Sequence, residues 1–447
     1  MSVKTDYQHH TMSYYIIQGK SKLSGSVKVN STKNSTLALL CASLLNQGQT
    51  EFFNFPELEE NKRIIEVLES IGVKFSRPGP RRLSVKAPKQ LRLNKINYQA
   101  AVKTRAILML FGPLIHRRKN FKLPKSGGCK LGLRTITPYI YALENFGVNI
   151  KSQPDCYQVT RNPKIHNQEI IMYESGDTAT EAVLMAAALT PAKTVIKYAS
   201  ANYQIQELCF YLQELGVKIE GLGTTTLTVH GLQAINKKVK YHLAEDPIEA
   251  MLFISLAAVT NSAIVIKGCP IDFLELELLK LAKMGFKYKI LRRYLSANRR
   301  TKLVDIKTLP SRLIALKEKI YARPYPGLNI DNLPFFVPIA IRAKGRTLIH
   351  DWVYENRAIY YNEFNRLGAK VTLADPHRVY IDGPTTLVAN EIVCPPSLRP
   401  SVIILIAMLA ARGTSILRNT YNIDRGYENL HERLKQLGAK IERVAED

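Results

Sequence analysis

Residues 437–441 read Leu-Gly-Ala-Lys-Ile, and variants of this short phrase occur six times along the chain. The six copies are IGVKF (71–75), FGVNI (146–150), LGVKI (215–219), MGFKY (284–288), LGAKV (367–371) and LGAKI (437–441). Their glycines stand at positions 72, 147, 216, 285, 368 and 438, which gives spacings of 75, 69, 69, 83 and 70 residues. A phrase at a near-constant period indicates internal repeats. The sequence therefore predicts six units of about 70 residues.

Each copy of the phrase follows a stretch whose apolar residues have helical spacing, such as Leu430, Leu434 and Leu437 before the last copy. A glycine just past such a stretch is typical of a helix C-terminus, because glycine accepts the left-handed backbone found there. The alternating residues beyond the glycine predict a strand. Each unit is thus expected to contain an amphipathic helix followed by a strand.

A second feature also occurs once in each unit, a compact apolar run. The runs lie at 37–45, 106–115, 182–189, 250–259, 333–341 and 402–410. They are apolar on all sides, which predicts buried elements, and Ala, Met and Leu favour helix in most of them. Pro334 and Pro338 weaken that prediction for the fifth run. Six units predict two domains of three units each, with helices at the centre and sheets outside. The 83-residue interval predicts an insertion around 290–320.

The composition excludes several classes of protein. The 447 residues include 63 Lys and Arg against 37 Asp and Glu, a formal net charge of +26, and 46% are hydrophobic. No apolar run approaches the ~18 residues that span a bilayer, the first 15 residues lack the apolar core of a secretory signal, and the six cysteines form no CxxC pair. We expect a soluble, reduced, cytoplasmic protein without membrane insertion. The charge fits nucleic acid, an anionic membrane or small anionic substrates, and does not choose among them.

Polar residues stand immediately before the buried runs. They are Lys33 and Asn34, Lys103 and Arg105, Ser175, Asp177 and Thr180, Glu245 and Asp246, Asp331, and Arg399 and Ser401. Ordinary N-capping accounts for most of them. Lys33, Arg105 and Arg399 differ, because a cation opposes the dipole at a helix N-terminus. An anionic ligand held where several such termini converge would account for them.

The segment SGGCKLGLR at 126–134 contains three glycines around a single cysteine, Cys129. Lys130 and Arg134 are close in sequence, and neighbouring cations favour the thiolate form of cysteine. Cys129 is therefore a candidate reactive thiol or general acid. The alternative is a small residue in a flexible turn.

Several stretches together resemble the enolpyruvyl transferases, in particular the branch that acts on UDP-N-acetylglucosamine. They are SGSVKVNSTKNSTL (24–37), KTRAILMLFGPL (103–114), SGGCKLGLR (126–134), PYPGLNID (324–331), YENR (354–357) and DRGYENLHERLKQLGAKIERV (424–444). The resemblance runs from about residue 14 to the C-terminus. It implies an α/β fold of two inside-out α/β barrel domains, each of three pseudo-symmetric repeats, with the active site between them. We expect one domain at 33–244 and a second formed by 13–32 and 245–447.

The resemblance also implies roles for individual residues. The residues expected to bind phosphoenolpyruvate are Lys33, Asn34, Arg134, Arg399 and Arg425. Those expected at the sugar nucleotide are Asn34, Arg105, Arg134, Thr135, Ile136, Thr137, Pro138, Asp331, Val353 and Arg357. The expected catalytic residues are Cys129, Asp331, Lys33 and Arg425. Arginines suit such a site because a planar guanidinium forms paired hydrogen bonds with phosphate or carboxylate.

The implied reaction transfers the enolpyruvyl group of phosphoenolpyruvate to the 3-hydroxyl of UDP-N-acetylglucosamine and releases phosphate, the first committed step of peptidoglycan synthesis. Asp331 would accept the hydroxyl proton, and Cys129 would protonate the enol carbon. Lys33 and the arginines would stabilise charge on the phosphate and carboxylate. This chemistry requires neither a metal nor an organic cofactor. The two domains would close on the substrates, with the Cys129 loop as a lid.

Two segments depart from the family pattern on the nucleotide side. Thr135-Ile136-Thr137 stands where the family usually has Pro-x-Asp, and Gly176-Asp177-Thr178 where it usually has Ser-Val-Gly. A related nucleotide sugar is therefore an alternative acceptor. A second alternative is a non-catalytic paralogue that binds nucleic acid through the basic clusters at 77–82, 116–122 and 291–300. The joint presence of the catalytic set argues against nucleic acid as the partner.

Overall fold

The six apolar runs form the central helices of the protein, as the sequence predicts. The computed structural model describes residues 13–127, 135–163 and 165–445. The central helices are Lys33–Ala42, Arg105–Leu110 with Phe111–Leu114, Asp177–Ala188, Pro247–Thr260, Leu333–Phe335 with Phe336–Arg342, and Leu398–Ala410. In Pro247–Thr260 every residue except Thr260 is buried. A helix that is apolar all round is stable only in such surroundings.

Two prolines shape the fifth central helix without preventing it. Pro334 lies in the 3₁₀ segment Leu333–Phe335, and Pro338 lies in the first turn of the α-helix Phe336–Arg342. The first N–H groups of a helix have no partner inside the helix, so the N–H that proline lacks is not missed there. The segment is therefore helical, but it begins as a 3₁₀ turn.

An outer helix, a glycine and a strand follow in each unit. The outer helices are Glu59–Ser70, Thr137–Leu143 with Glu144–Phe146, Tyr203–Glu214, Glu275–Lys283, the 3₁₀ segment Ala358–Leu367, and Leu430–Gln436. The six repeat glycines all have positive φ, from 73° at Gly147 to 103° at Gly72. A strand begins one or two residues after each of them. The predicted helix end and strand are thus confirmed in every unit.

The strands form six sheets in the described residues, and each sheet serves one unit. In order across each sheet, the strands are Lys238–His242, Gln49–Phe53, Arg82–Lys86, Lys74–Ser76; Asn120–Pro124, Cys156–Arg161, Val148–Ser152; Lys218–Glu220, Thr226–His230, Lys193–Lys197, Gln168–Ile171; Lys287–Leu295, Lys302–Leu309, Val265–Pro270, Ser26–Lys28; Ile320–Tyr321, Gly345–His350, Arg378–Gly383, Lys370–Leu373; and Glu391–Val393, Thr414–Arg418, Ser13–Gln18, Lys440–Ala445. Short helical segments complete the structure: Ser43–Leu45, Leu93–Lys95, Tyr98–Ala101, Ile271–Phe273 and Tyr421–Asp424.

The buried apolar residues form two clusters. One extends from Leu37 to Leu243; the other joins the segment from Tyr15 to Val29 with residues from Ile248 to Ile441, and includes Tyr203. In each cluster the three central helices contact one another, and the sheets lie outside them. We propose that the two clusters are the domains 33–244 and 13–32 with 245–447, because the N-terminal strand pairs antiparallel with both Thr414–Arg418 and Lys440–Ala445.

The chain passes between the two clusters twice, and the two crossing segments bind each other. Ser31 and Glu245 form an antiparallel bridge. The Thr32 N–H donates to the Ala244 carbonyl at 3.0 Å, and the Asp246 N–H donates to the Asn30 carbonyl at 2.8 Å. This paired crossing fixes the two clusters relative to each other at the point where the chain passes between them.

The long fourth interval extends a strand pair that every unit has. Strands Lys287–Leu295 and Lys302–Leu309 contain 9 and 8 residues and form an antiparallel ribbon with an irregularity between Ile290 and Arg292. The extra residues predicted around 290–320 thus lengthen a sheet edge and add no separate element. No helix in the three described ranges is long and apolar enough to cross a membrane.

A glycine substitution tests the repeat signature. The Cβ of an alanine at Gly72 would meet side-chain atoms of Arg92 and Pro88 at ordinary contact distances, with Arg92 Nε nearest at 3.4 Å, so the φ of 103° is the main obstacle. Left-handed backbone costs a non-glycine residue about 1–2 kcal/mol, and Gly72→Ala should reduce the free energy of unfolding by that amount. Denaturant unfolding followed by circular dichroism measures it.

Gly79→Ala is the matched control, because Gly79 lies in the same unit, has no left-handed φ, and has only the Arg82 side chain near its Cβ position. It should leave the unfolding midpoint nearly unchanged. Equal midpoints for both variants would show that the Gly72 conformation is not required.

Candidate functional site

A cleft of about 690 Å³ lies between the two clusters and is lined by residues of both. Ten of the residues predicted from the sequence line it: Lys33, Asn34, Arg105, Thr135, Pro138, Asp331, Val353, Arg357, Arg399 and Arg425. Ile136 and Thr137 do not line it; Ile136 packs against the first cluster, where the helix Thr137–Leu143 begins. Cys129 and Arg134 lie outside the described residues.

The three cations that are unusual at helix N-termini meet in this cleft. Lys33 and Arg105 are the first residues of their central helices, and Arg399 is the second residue of its own. Thr104 caps the Arg105 segment by accepting the Ala106 N–H at 3.2 Å. The convergence of helix N-termini and cations matches the predicted anion site.

Asp331 holds the centre of the cation cluster. Its Oδ2 accepts a hydrogen bond from Arg399 Nη2 at 3.1 Å, and its Oδ1 lies 4.0 Å from Arg357 Nη1. Burial alone would raise the pKa of Asp331, but Arg399, Arg357 and Lys33 outweigh burial and hold that pKa at about 2. The carboxylate is therefore ionised throughout the neutral range.

Arg357 is held rigidly from behind the cleft. Its Nε and Nη2 donate to the two oxygens of Asp351 at 2.6 and 2.7 Å, and both side chains are almost fully buried. Tyr361 donates a further hydrogen bond to Asp351, and the Ile330 carbonyl accepts from Arg357. The charge of Arg357 is thus neutralised by Asp351, and this ion pair places its remaining nitrogen, Nη1, beside Asp331.

Two more cations in the cleft have bonding capacity to spare. Lys33 makes no ion pair with any described residue, and Nε of Arg425 is buried without a hydrogen-bond partner among them. Burial lowers the pKa of Lys33, and Arg399 and Arg425 lower it further, against the opposing effect of Glu60. An anion bound beside these groups would relieve both the repulsion and the missing hydrogen bond.

Asn34 belongs to a hydrogen-bond chain that the sequence did not predict. Its amide nitrogen donates to the Tyr203 hydroxyl at 3.0 Å and to Gln204 Oε1 at 3.4 Å. Gln204 in turn donates to Glu181 at 3.1 Å. Glu181 is fully buried, and burial, with Asp177 nearby, raises its pKa well above the usual range. With its amide hydrogens used in this way, Asn34 retains a carbonyl oxygen for a ligand.

Asp177, the acidic residue in the segment 176–178 that differs from the family pattern, has a structural role. Asp177 accepts hydrogen bonds from the Ser200 hydroxyl and from Asn202 Nδ2, the latter at 3.1 Å. Asn202 also accepts from Asn329 Nδ2 at 3.3 Å, which joins the two walls of the cleft. Asp177 is therefore bound to Ser200 and Asn202 within the protein. Burial raises the pKa of its carboxyl group.

The partners that organise the cleft had no recognisable signal in the sequence. Tyr203, Gln204 and Glu181 stand about 150–170 residues from Asn34, and no motif links them. Asp351 lies closer, six residues before Arg357, but an acid and an arginine at that spacing are common in any chain.

The cleft places the ionised carboxylate of Asp331 among several cations, and such a site binds an anionic substrate and can accept a proton from a neutral one. Rigid guanidinium groups and helix N-termini suit phosphate and carboxylate groups. This chemistry agrees with the reaction class that the sequence motifs imply.

Comparison with known proteins places the chain in a family. Residues 17–434 match the family model described as EPSP synthase (3-phosphoshikimate 1-carboxyvinyltransferase). The UDP-N-acetylglucosamine 1-carboxyvinyltransferase of Treponema denticola is 32% identical to this chain, over 96% of this chain and 99% of its own length. The proteins of the same name from Bradyrhizobium diazoefficiens and Campylobacter lari are 30% and 31% identical, each over 97% of this chain.

Solved structures show the same fold. The enolpyruvyl transferase NikO from Streptomyces tendae has a TM-score of 0.81 and 21% identity, covering 98% of this chain and all of its own. EPSP synthase from Acinetobacter baumannii has a TM-score of 0.76 and 16% identity, covering 97% of this chain. These likenesses confirm the two-domain inside-out α/β architecture. The family match spans nearly the whole sequence, and the chain therefore belongs to the EPSP synthase family.

Proposed function

We propose that this protein transfers the enolpyruvyl group of phosphoenolpyruvate to the 3-hydroxyl of UDP-N-acetylglucosamine and releases phosphate. The observation that carries the proposal is the meeting of Asp331 with Arg399, Arg357 and Lys33 in one cleft between the two clusters. The names of the relatives at 30–32% identity support the same acceptor. The reaction would serve peptidoglycan synthesis in the cytoplasm, with two small molecules and no nucleic acid as partners.

The cations of the cleft would bind the donor. Phosphoenolpyruvate carries a phosphate and a carboxylate, and Lys33, Arg399 and Arg425 offer charge and directed N–H groups to both. Arg134 lies outside the described residues. It would complete this set, as the resemblance of the segment 126–134 to the family implies. Lys33 and Arg425 can bind the donor without first breaking an ion pair with a described residue, since both have hydrogen-bonding capacity to spare.

Asp331 would act as the base once the donor is present. In the free protein its pKa of about 2 makes it a weak base, because Arg399 holds it by a hydrogen bond at 3.1 Å. A donor anion that draws Arg399 away would raise the pKa of Asp331 and free its Oδ2. Substrate binding would thereby activate the base at the moment it is needed.

Proton transfers balance the reaction. The acceptor hydroxyl loses its proton to Asp331 as its oxygen bonds to C2 of phosphoenolpyruvate, and C3 receives a proton from Cys129. The resulting tetrahedral ketal then loses phosphate, and the Cys129 thiolate would take back a proton from C3, which restores the double bond. The proton that Asp331 accepted would leave with the phosphate, so that both side chains return to their starting states. The role of Cys129 rests on the resemblance of the segment 126–134 to the family.

The first prediction from the proposed function tests Asp331. Asp331→Asn keeps the size of the side chain and removes the base, so kcat should fall by about 100-fold or more, the usual contribution of a general base. The assay is phosphate release from phosphoenolpyruvate in the presence of UDP-N-acetylglucosamine. Asp155→Asn, an exposed carboxylate outside the cleft, is the control and should behave as the wild type. An Asp331→Asn enzyme with unchanged kcat would exclude Asp331 as the base.

The second prediction tests the donor site. Arg425→Lys keeps the positive charge but loses the planar fork and its unpartnered Nε. Hydrogen bonds to charged groups contribute about 1.5–3 kcal/mol, so KM for phosphoenolpyruvate should rise about 10-fold to 100-fold, with KM for the nucleotide sugar little changed. Arg412→Lys, exposed and outside the cleft, is the matched control. A rise confined to KM for the nucleotide sugar would contradict this assignment.

The third prediction tests Cys129. Cys129→Ala should lower kcat about 100-fold or more, whereas Cys129→Asp, which can still donate a proton, should retain much more activity. Only the thiol enzyme should lose activity on treatment with an alkylating reagent. Cys156→Ala serves as the control, because Cys156 is half-buried and lies outside the cleft. Equal activity of the alanine and aspartate variants would remove proton donation from the role of this residue.

A further inference from the structure

Trp352 occupies an unusual position in the cleft. It is the only tryptophan in the sequence, and its side chain is 47% exposed. Among the exposed large apolar side chains in the described ranges, it alone lines the cleft. An exposed indole within a substrate cleft leaves a large apolar surface uncovered until a ligand binds.

The indole is held in place by a hydrogen bond from its ring and by the buried residue that precedes it. Its Nε1–H donates to the Ala322 carbonyl at 2.8 Å, and Ala322 directly follows the strand Ile320–Tyr321. That strand pairs with Gly345–His350, which leads into Trp352. The preceding residue, Asp351, is fully buried in its ion pair with Arg357. The polar edge of the indole is therefore satisfied, and what remains exposed is its apolar ring.

The chemistry of the ring selects one part of the proposed substrates. Phosphoenolpyruvate and the diphosphate are anionic and suit the cations of the cleft, not an apolar surface. A nucleobase has a flat π face, and stacking on aromatic side chains is a general way to bind bases. Because the Trp352 ring is fixed before binding, little conformational freedom is lost when a base stacks on it.

We propose that Trp352 is the stacking platform for the nucleobase of the nucleotide substrate. The proposal rests on the proposed function for the presence of a nucleotide and adds the residue that recognises its base. A sugar ring can also pack on an indole, so the probes must separate the two parts of the substrate.

The sole tryptophan makes the protein its own reporter. Titration of the wild-type protein with UDP, with N-acetylglucosamine 1-phosphate and with phosphoenolpyruvate should change the intrinsic tryptophan fluorescence only with UDP. Calorimetry on the same samples shows which probes bind. A fluorescence change with N-acetylglucosamine 1-phosphate and none with bound UDP would overturn the proposal.

Kinetics supply the second test. Trp352→Leu should raise KM for UDP-N-acetylglucosamine about tenfold or more, while KM for phosphoenolpyruvate and kcat stay near wild-type values. Trp352→Phe should restore most of the affinity, because phenylalanine also stacks. Tyr98→Leu is the matched control, since Tyr98 is an aromatic residue with 46% exposure that lies outside the cleft. Wild-type KM in Trp352→Leu would refute the proposal.

The two proposals can fail separately. If the wild-type protein releases no phosphate from phosphoenolpyruvate, the proposed function fails, yet the UDP titration requires no turnover and still tests Trp352. If phosphate is released but UDP leaves the tryptophan fluorescence unchanged and Trp352→Leu has the wild-type KM for UDP-N-acetylglucosamine, only the stacking platform is wrong.

Discussion

The constraint on which this structure depends is the burial of six helices that are apolar on every side. Such helices cannot present any face to water, and each buried Leu, Ile or Phe contributes about 1.5–3 kcal/mol to stability. The chain meets this constraint by enclosing three helices within three sheets, twice. The cations Lys33, Arg105 and Arg399 stand at the first or second position of their helices, and these helix ends line the space between the two clusters. The site is thus a consequence of how the core is built.

The acidic side chains of the cleft pair with some of its groups and leave two of its cations, Lys33 and Arg425, for a ligand. Asp351 neutralises Arg357, while Asp177 and Glu181 are engaged by neutral hydrogen-bond partners. None of these acids pairs with Lys33 or Arg425 among the described residues, and both face the repulsion of neighbouring cations. A dianionic donor is therefore attracted more strongly to Lys33 and Arg425 than to ordinary surface cations, which water already solvates well.

Much of this architecture could be read from the sequence, because it depends on periodic patterns. The glycine phrase located all six helix ends, and the apolar runs located all six central helices, including the proline-containing one. The motifs also named ten of the residues that line the cleft. The hydrogen-bond chain from Asn34 to Glu181 could not be predicted, because it joins three separate helices whose facing side chains are determined only by packing. The placement of Trp352 likewise depends on a strand pairing, Ile320–Tyr321 with Gly345–His350, that has no local signal.

The net charge of +26 raised the possibility of nucleic acid as a partner, but arginines in two of the three basic clusters have partners within the protein. All three arginines of the cluster at 77–82 form ion pairs: Arg77–Glu57, Arg81–Glu428 and Arg82–Glu51. In the cluster at 116–122, Arg117 and Arg118 donate to the carbonyls of Pro88 and Leu91. A surface that binds nucleic acid needs cations free to replace counterions along the phosphates. Arg81–Glu428 instead joins the first cluster to the segment that holds Arg425, so part of the surface charge serves to hold the two walls of the anion cleft together.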